Sequence, residues 1–296
     1  MSADHRLLLV HAHPDDETIG TGVTMAKYAH SKAHVTLVTC TLGDEGEILL
    51  PEFAHLAADK QDALAAHREI ELGQAMAELG VTDWRILGGS GKYRDSGMMG
   101  TPPNIREDNF WKADLLEAAR LLVEVIRETR PQVLVTYDDF GGYGHPDHIQ
   151  AHRVAMYAAS LAAAPSFASE LGPAWEIEKI YWTAFPISVI RQGIEALRAM
   201  GDQTEFAASE PDEMPFACPD EWVTTVINAP EFAEHKIAAM RAHATQISTD
   251  EGFFALSNNL GSQVMASEYF RLVKGQAQGP LDELGRESDL FAGVKS

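Results

Sequence analysis

The chain has 296 residues, a net charge of −21 and 45% hydrophobic residues. That is enough for a large packed α/β domain, and too acidic for a nucleic-acid or anionic-membrane partner, which would repel such a surface. Cys40 and Cys218, the two cysteines, lie far apart with no CxxC neighbour, which argues against a disulfide framework or a thiolate metal site and fits a reducing compartment.

In chain order, Leu7-Leu8-Leu9-Val10 and His11 read as a short buried strand (residues 7–11). This apolar run is too short for a signal-peptide core, and no later stretch approaches a membrane span, so a cytoplasmic protein is expected. A polar turn leads to a helix over 19–31, and HVTLVT (34–39) is a second, β-branched strand. A helix over 60–79 and a strand over 84–87 follow, then a long Gly/Pro/Met-rich loop, 88–109, of a kind that is usually functional. Apolar residues at 115, 116, 119, 122, 123 and 126 predict a helix over 112–129 with one buried face. A strand at 133–136, a loop at 137–147 and a helix at 148–163 complete the alternation.

The expected fold is therefore α/β: a Rossmann-like, mostly parallel sheet with helices on both faces, and a C-terminal α+β portion enclosing the active site. The division is placed at residues 1–165 for the catalytic portion and 166–296 for the C-terminal portion, packed on the same sheet. Within the latter, 178–182 and 222–227 read as strands, 231–247 as a helix, and the acidic stretch 201–220 as a loop or linker.

Two clusters carry the chemistry, each just after a predicted strand: His11-Ala12-His13-Pro14-Asp15-Asp16-Glu17 and Gly141-Gly142-Tyr143-Gly144-His145-Pro146-Asp147-His148. Neighbouring parallel strands would deliver both His-Pro-Asp turns to one edge of the sheet, where ligand sites of such folds lie. Two imidazoles and one carboxylate suffice for a catalytic zinc with a place left for water; His13, Asp16 and His148 are the candidate ligands. Asp15 is then placed to take a proton from that water as general base. His145 would polarise the substrate carbonyl or protonate the leaving amine, Tyr143 would donate to the developing oxyanion, and Asp147 would orient His145. A lone loop histidine is usually just solvated, and an Asp beside a proline is often a helix cap. Two such turns at two strand ends make the joint functional reading the stronger one. A non-haem iron oxygenase shares the two-His, one-carboxylate set but has no use for a second adjacent carboxylate. Gly20-Thr21-Gly22 does not form a dinucleotide-binding fingerprint.

AHPDDE at 12–17 and HPDH at 145–148 resemble the LmbE-like, or PIG-L, family of metal-dependent N-acetylglucosaminyl deacetylases. VTCTLGDEGE (38–47), YRDSGMMGT (93–101), VTYDDFGGYGHPDH (135–148), HATQ (243–246) and ALSNNL (255–260) resemble the branch acting in mycothiol biosynthesis. The resemblance implies zinc, with ferrous iron as the alternative, held by His13, Asp16 and His148, and a small amino-sugar–inositol substrate. It further implies contacts to that substrate from Arg68 and Asp95 at the rim of the cleft. Sister amidases acting on mycothiol S-conjugates share the metal motif and are the runner-up, although the RDSGMMGT loop fits the deacetylases better. A non-catalytic sugar-binding relative would be expected to lack a ligand or the base, and none is missing. Oligomeric state is left open.

Overall fold

A computed structural model describes residues 4–199, 201, 203–248 and 266–295; the ALSNNL stretch at 255–260 lies outside the described residues. Strand β1 (Arg6–His11) is buried on both sides from Leu7 onward. Leu7 and Leu9 enter one core with Val23, Met25 and Leu72, while Leu8 and Val10 enter the other with Leu122, Val123 and Val154. This is the period-two alternation of a strand sandwiched between helices.

Helix α1 (Asp16–His30) follows, then β2 (His34–Thr39), α2 (Leu64–Leu79), β3 (Asp83–Ile86), α3 (Leu115–Thr129) and β4 (Val133–Thr136). The short helical turn α4 (Gly141–Gly144) leads into α5 (Pro146–Ala162), β5 (Lys179–Pro186), α6 (Ile187–Ala199) and α7 (Glu205–Ala208). The chain continues with β6 (Ala217–Cys218), β7 (Thr225–Asn228), α8 (Ala233–Ala242) and β8 (Ser267–Lys274). Asp114 caps α3 by accepting the Glu117 N–H at 2.8 Å. The buried Arg127 on α3 donates to the carbonyls of Leu161, Ala162 and Ala164, satisfying the C-terminal end of α5.

The sheet runs β3-β2-β1-β4-β5-β8-β7, with β6 paired to β5 off this path. β3 to β5 are parallel along this order; β8 is antiparallel to β5 and to β7. The expected α/β fold is therefore present, with the C-terminal strands continuing the same sheet. α1, α2 and α8 pack together on one face, and α3 and α5 on the other. β1 connects outward to β2 on one side and pairs with β4 on the other, so the chain reverses its winding between β1 and β4. The carboxyl ends of these two strands carry the two His-Pro-Asp turns.

The differences from expectation lie mostly beyond residue 164. The 201–220 stretch contains α7 and β6, and neither α6 nor β8 was foreseen. The helix expected over 231–247 ends at Ala242, because His243 leaves helical geometry (φ −82°, ψ 49°) and turns its ring inward. Cys40 and Cys218 are both free and buried. Among the described residues no helix is long and apolar enough to cross a membrane.

Candidate active site and metal centre

His13 and His148 both face Asp16. Asp16 Oδ2 accepts the His13 backbone N–H at 2.9 Å and lies 3.4 Å from His13 Nδ1, while Oδ1 lies 3.3 Å from His148 Nε2. Two ligands of one tetrahedral zinc keep such spacings, about 3.3 Å for bonds of about 2.0–2.1 Å. His148 Nδ1 donates to the Gly141 carbonyl at 3.1 Å, so a neutral ring presents a bare lone pair at Nε2. That nitrogen is buried without a hydrogen-bond partner and faces a carboxylate, an arrangement that repels unless a cation stands beside it. The donor set fits a divalent ion. Burial pushes the Asp16 carboxyl up, but positive charge at the His148 and His13 rings outweighs it and holds the carboxyl well below the usual range; with the rings neutral, a cation between them would supply that charge.

The second nitrogen of His13 is anchored separately. Nε2 lies 3.1 Å from Asp147 Oδ2 and 3.6 Å from Asp95 Oδ1. Asp147 is wholly buried, its Oδ2 also accepting the Ser96 backbone N–H at 2.8 Å and its Oδ1 the Ser96 hydroxyl. Asp147 thus orients His13, not His145 as expected: Asp147 sits in the first turn of α5, and its carboxylate reaches across to β1's turn. Its link to His145 is through the backbone, the Asp147 N–H donating to His145 Nδ1 at 3.1 Å. With Nδ1 accepting, a neutral His145 carries its proton on Nε2, which points toward Asp95 at 4.0 Å. Burial, with His13 and His148 nearby, lowers His145 to about 3, so this ring is a neutral hydrogen-bond donor. His13, His145 and His148 bring ring nitrogens within 4.8 Å of one another, and His13, Asp95, His145 and Asp147 form a second such group. Ser96 bonds both oxygens of Asp147; Asp16 belongs to neither group and adjoins the three histidines through its contacts with His13 Nδ1 and His148 Nε2.

Asp15 precedes α1 with φ 117°, a region L side chains rarely adopt. Burial raises its carboxyl to about 6, with Asp16 and Glu17 adding to the effect and Arg68 opposing it. Arg68 Nη2 lies 3.2 Å from Asp15 Oδ2 and also donates to the Pro14 carbonyl; Nη1 donates to the Gly43 carbonyl at 2.9 Å. Gly43 is needed for this: a Cβ there would fall 1.7 Å from Arg68 Nη1. Arg68 (3% exposed) and Asp95 (4% exposed) therefore do not form an open rim. They are drawn inward by polar partners, Arg68 at the Asp15 turn and Asp95 beside His13 Nε2 at 3.6 Å.

Tyr143 stands on a turn of glycines, 4.9 Å from the His148 ring centroid, and is partly exposed. Gly141 lets this turn press against α5, since a Cβ would fall 2.6 Å from that of His148. Two cavities meet at Tyr143, Asp15 and Asp16. One of about 340 Å³ is polar and includes Glu47, Arg68, Asp95, His145 and Gln246. The other, about 560 Å³, is walled by aromatic residues of the C-terminal portion, among them Trp182, Phe185 and Tyr269.

Sequence reasoning missed Tyr137, Ser96 and Glu17. Tyr137 stacks on His148 with ring centroids 4.3 Å apart and accepts the Ala12 N–H at 2.8 Å. Both Tyr137 and Ser96 lie within the motif stretches, but their hydrogen-bond partners Ala12 and Asp147 are more than fifty residues away.

The family described as GlcNAc-PI de-N-acetylase, PIG-L, matches residues 8–159, which contain both turns. A Catenulispora acidiphila protein named 1D-myo-inositol 2-acetamido-2-deoxy-alpha-D-glucopyranoside deacetylase 1 is 60% identical over 294 residues, covering 99% of this chain and 90% of its own. The Kribbella flavida deacetylase of the corresponding name is 58% identical over 300 residues, covering 98% of each chain. In structure, the N,N'-diacetylchitobiose deacetylase of Pyrococcus horikoshii superposes with a TM-score of 0.61 at 20% identity, covering 91% of this chain and 84% of that one. At that identity the superposition speaks for the fold alone. The motifs, the fold and the match across both turns make this chain a member of the PIG-L family of de-N-acetylases.

Proposed function

We propose that the protein hydrolyses the acetamide of N-acetylglucosaminyl-inositol, giving glucosaminyl-inositol and acetate for mycothiol biosynthesis in the cytoplasm. One divalent ion, zinc or ferrous iron, would be held by His13, Asp16 and His148. The observation that carries this reading is the bare Nε2 of His148 facing Asp16, with His13 on the other oxygen and Asp15 alongside. The substrate is supported by relatives bearing that activity in their names over almost the whole chain.

A bound ion of this kind polarises a carbonyl and makes water acidic enough to be a nucleophile near neutral pH. Asp15 takes the water proton at its carboxylate, and its raised pKa keeps it basic enough to do so. His145 presents Nε2–H to the reacting amide, and the Tyr143 hydroxyl donates to the carbonyl oxygen as charge develops there. Asp147 fixes His13, and Arg68 fixes the Asp15 turn. The sugar and inositol hydroxyls fit the polar cavity, where Arg68 and Asp95 offer donors and acceptors. Residues 1–165 would form the catalytic portion and 166–296 the portion that walls the larger cavity. Amine release from N-acetylglucosaminyl-inositol, N-acetylglucosamine and a mycothiol S-conjugate tests the reading. The conjugate of N-acetylglucosamine with inositol should be the best substrate; faster turnover of the S-conjugate would favour the sister amidases.

A further inference from the structure

Asp15 must hold φ 117° with its carboxylate beside the metal ligands, and such a conformation persists only where neighbours enforce it. The Asp15 carbonyl accepts from the Thr18 and Ile19 N–H groups, and the turn before it is gripped by Arg68. The remaining polar group is the Asp15 N–H, which donates to Glu17 Oε2 at 3.0 Å. Glu17 is wholly buried, and its other oxygen accepts the Thr18 hydroxyl at 2.6 Å and faces His243 Nε2 at 2.9 Å. His243, also wholly buried, comes from the end of α8, 226 residues away in sequence.

We propose that Glu17 and His243 are a positioning pair for Asp15: His243 holds the Glu17 carboxylate, and that carboxylate holds the Asp15 backbone in its left-handed conformation. The inference rests on Asp15 being the general base. A pair serving only to dock α8 on α1 would be replaceable by apolar residues, since burying two charged or polar groups is costly and their removal together is often neutral. Here the Glu17 carboxylate divides its bonds between α8 and the turn that carries the base. Removing its acceptor oxygen frees the Asp15 N–H and lets the carboxylate drift from the position it needs to receive a proton, an error that can cost about 10²-fold in rate for about 1 Å.

The test compares Glu17→Ala with Glu17→Gln, and His243→Ala with His243→Gln. It reads kcat and KM separately, bound metal, and amide hydrogen exchange over the Asp15 turn in metal-free protein. Glu17→Gln keeps an oxygen for the Asp15 N–H, and His243→Gln keeps a donor for Glu17. The alanine variants should lose about 10- to 100-fold in kcat with KM and metal content little changed, and should exchange the Asp15 amide faster. The glutamine variants should recover most of both. Equal losses in alanine and glutamine variants, accompanied by lost metal, would overturn the proposal, as would alanine variants with normal kcat and normal exchange. If Glu17→Ala does not fold, the His243 pair decides. A wild-type protein without deacetylase activity would instead overturn the general-base reading, while the exchange comparison would still decide the pairing.

Discussion

Asp15 and Asp16 are adjacent in sequence yet sit in different electrostatic surroundings, and each suits one task. Positive charge at the His148 and His13 rings holds the Asp16 carboxyl down, which suits the proposed role of metal ligand, whereas burial raises the Asp15 carboxyl, which suits the proposed role of base. Asp15→Asn should therefore keep the fold and the metal while lowering kcat by roughly 10²–10⁴-fold, measured as amine release beside metal content. His148→Ala should lose metal and activity together, and activity without loss of metal would remove His148 from the ligand set. Arg68 touches Asp15 and the backbone before it as well as the polar cavity. Arg68→Ala should accordingly lower kcat on free N-acetylglucosamine as well as on the inositol conjugate. Arg68→Lys should rescue little, because one ammonium cannot reach the Gly43 and Pro14 carbonyls and Asp15 with the fixed fork of a guanidinium. A loss confined to the conjugate would return Arg68 to a role in holding inositol alone.

At the scale of elements, strands β1, β2 and β4 were legible because central parallel strands are continuous apolar runs, and their ends named the site. The positions of His13, Asp15, Asp16, His145 and His148 followed from that. What was not legible depends on pairings between distant segments. Asp147 serves His13 because β1 and β4 are neighbours, and Ser96 reaches it only through the fold of the long 88–109 loop. β8 escaped notice because Ser267–Lys274 mixes Glu268, Arg271 and Lys274 among its apolar residues, and each of these has a particular partner, Lys274 pairing with Glu176 at 3.2 Å. Glu268 pairs with Lys236 at 2.7 Å and caps two N–H groups inside α1, and Arg271 stacks on Trp182 and Trp222. α6 was missed although its apolar residues Ile190, Ile194 and Leu197 are buried at helical spacing. The C-terminal segment is fastened by Glu287, which is buried and bonded to Lys179 (2.6 Å), Tyr181 (2.9 Å) and Thr225 (3.1 Å). Glu287→Ala leaves Lys179 uncompensated and should cost about 3–5 kcal/mol in denaturant unfolding. A change below about 0.5 kcal/mol would show that the tail does not brace the sheet.

On the scale of the whole molecule, a single sheet holds an acidic cleft whose proposed ligands follow the ends of two adjoining strands. Asp15, Asp16, Asp95 and Asp147 meet there, so a bound cation should stabilise the fold as well as enable the reaction. At 100 times its dissociation constant, an ion that binds only the native state contributes about 2.7 kcal/mol. Chelation should therefore lower Tm and metal should restore it; a Tm indifferent to both would mean that the cluster holds no ion. The central claim is tested most directly by acetate release from N-acetylglucosaminyl-inositol, using protein stripped of metal, reconstituted with one equivalent of zinc or ferrous iron, and carrying Asp15→Asn. The account predicts turnover only in the reconstituted wild-type protein, with the Asp15→Asn protein binding the ion but releasing acetate at least about 10²-fold more slowly. Equal acetate release by the stripped and reconstituted proteins, or none from either, would contradict it.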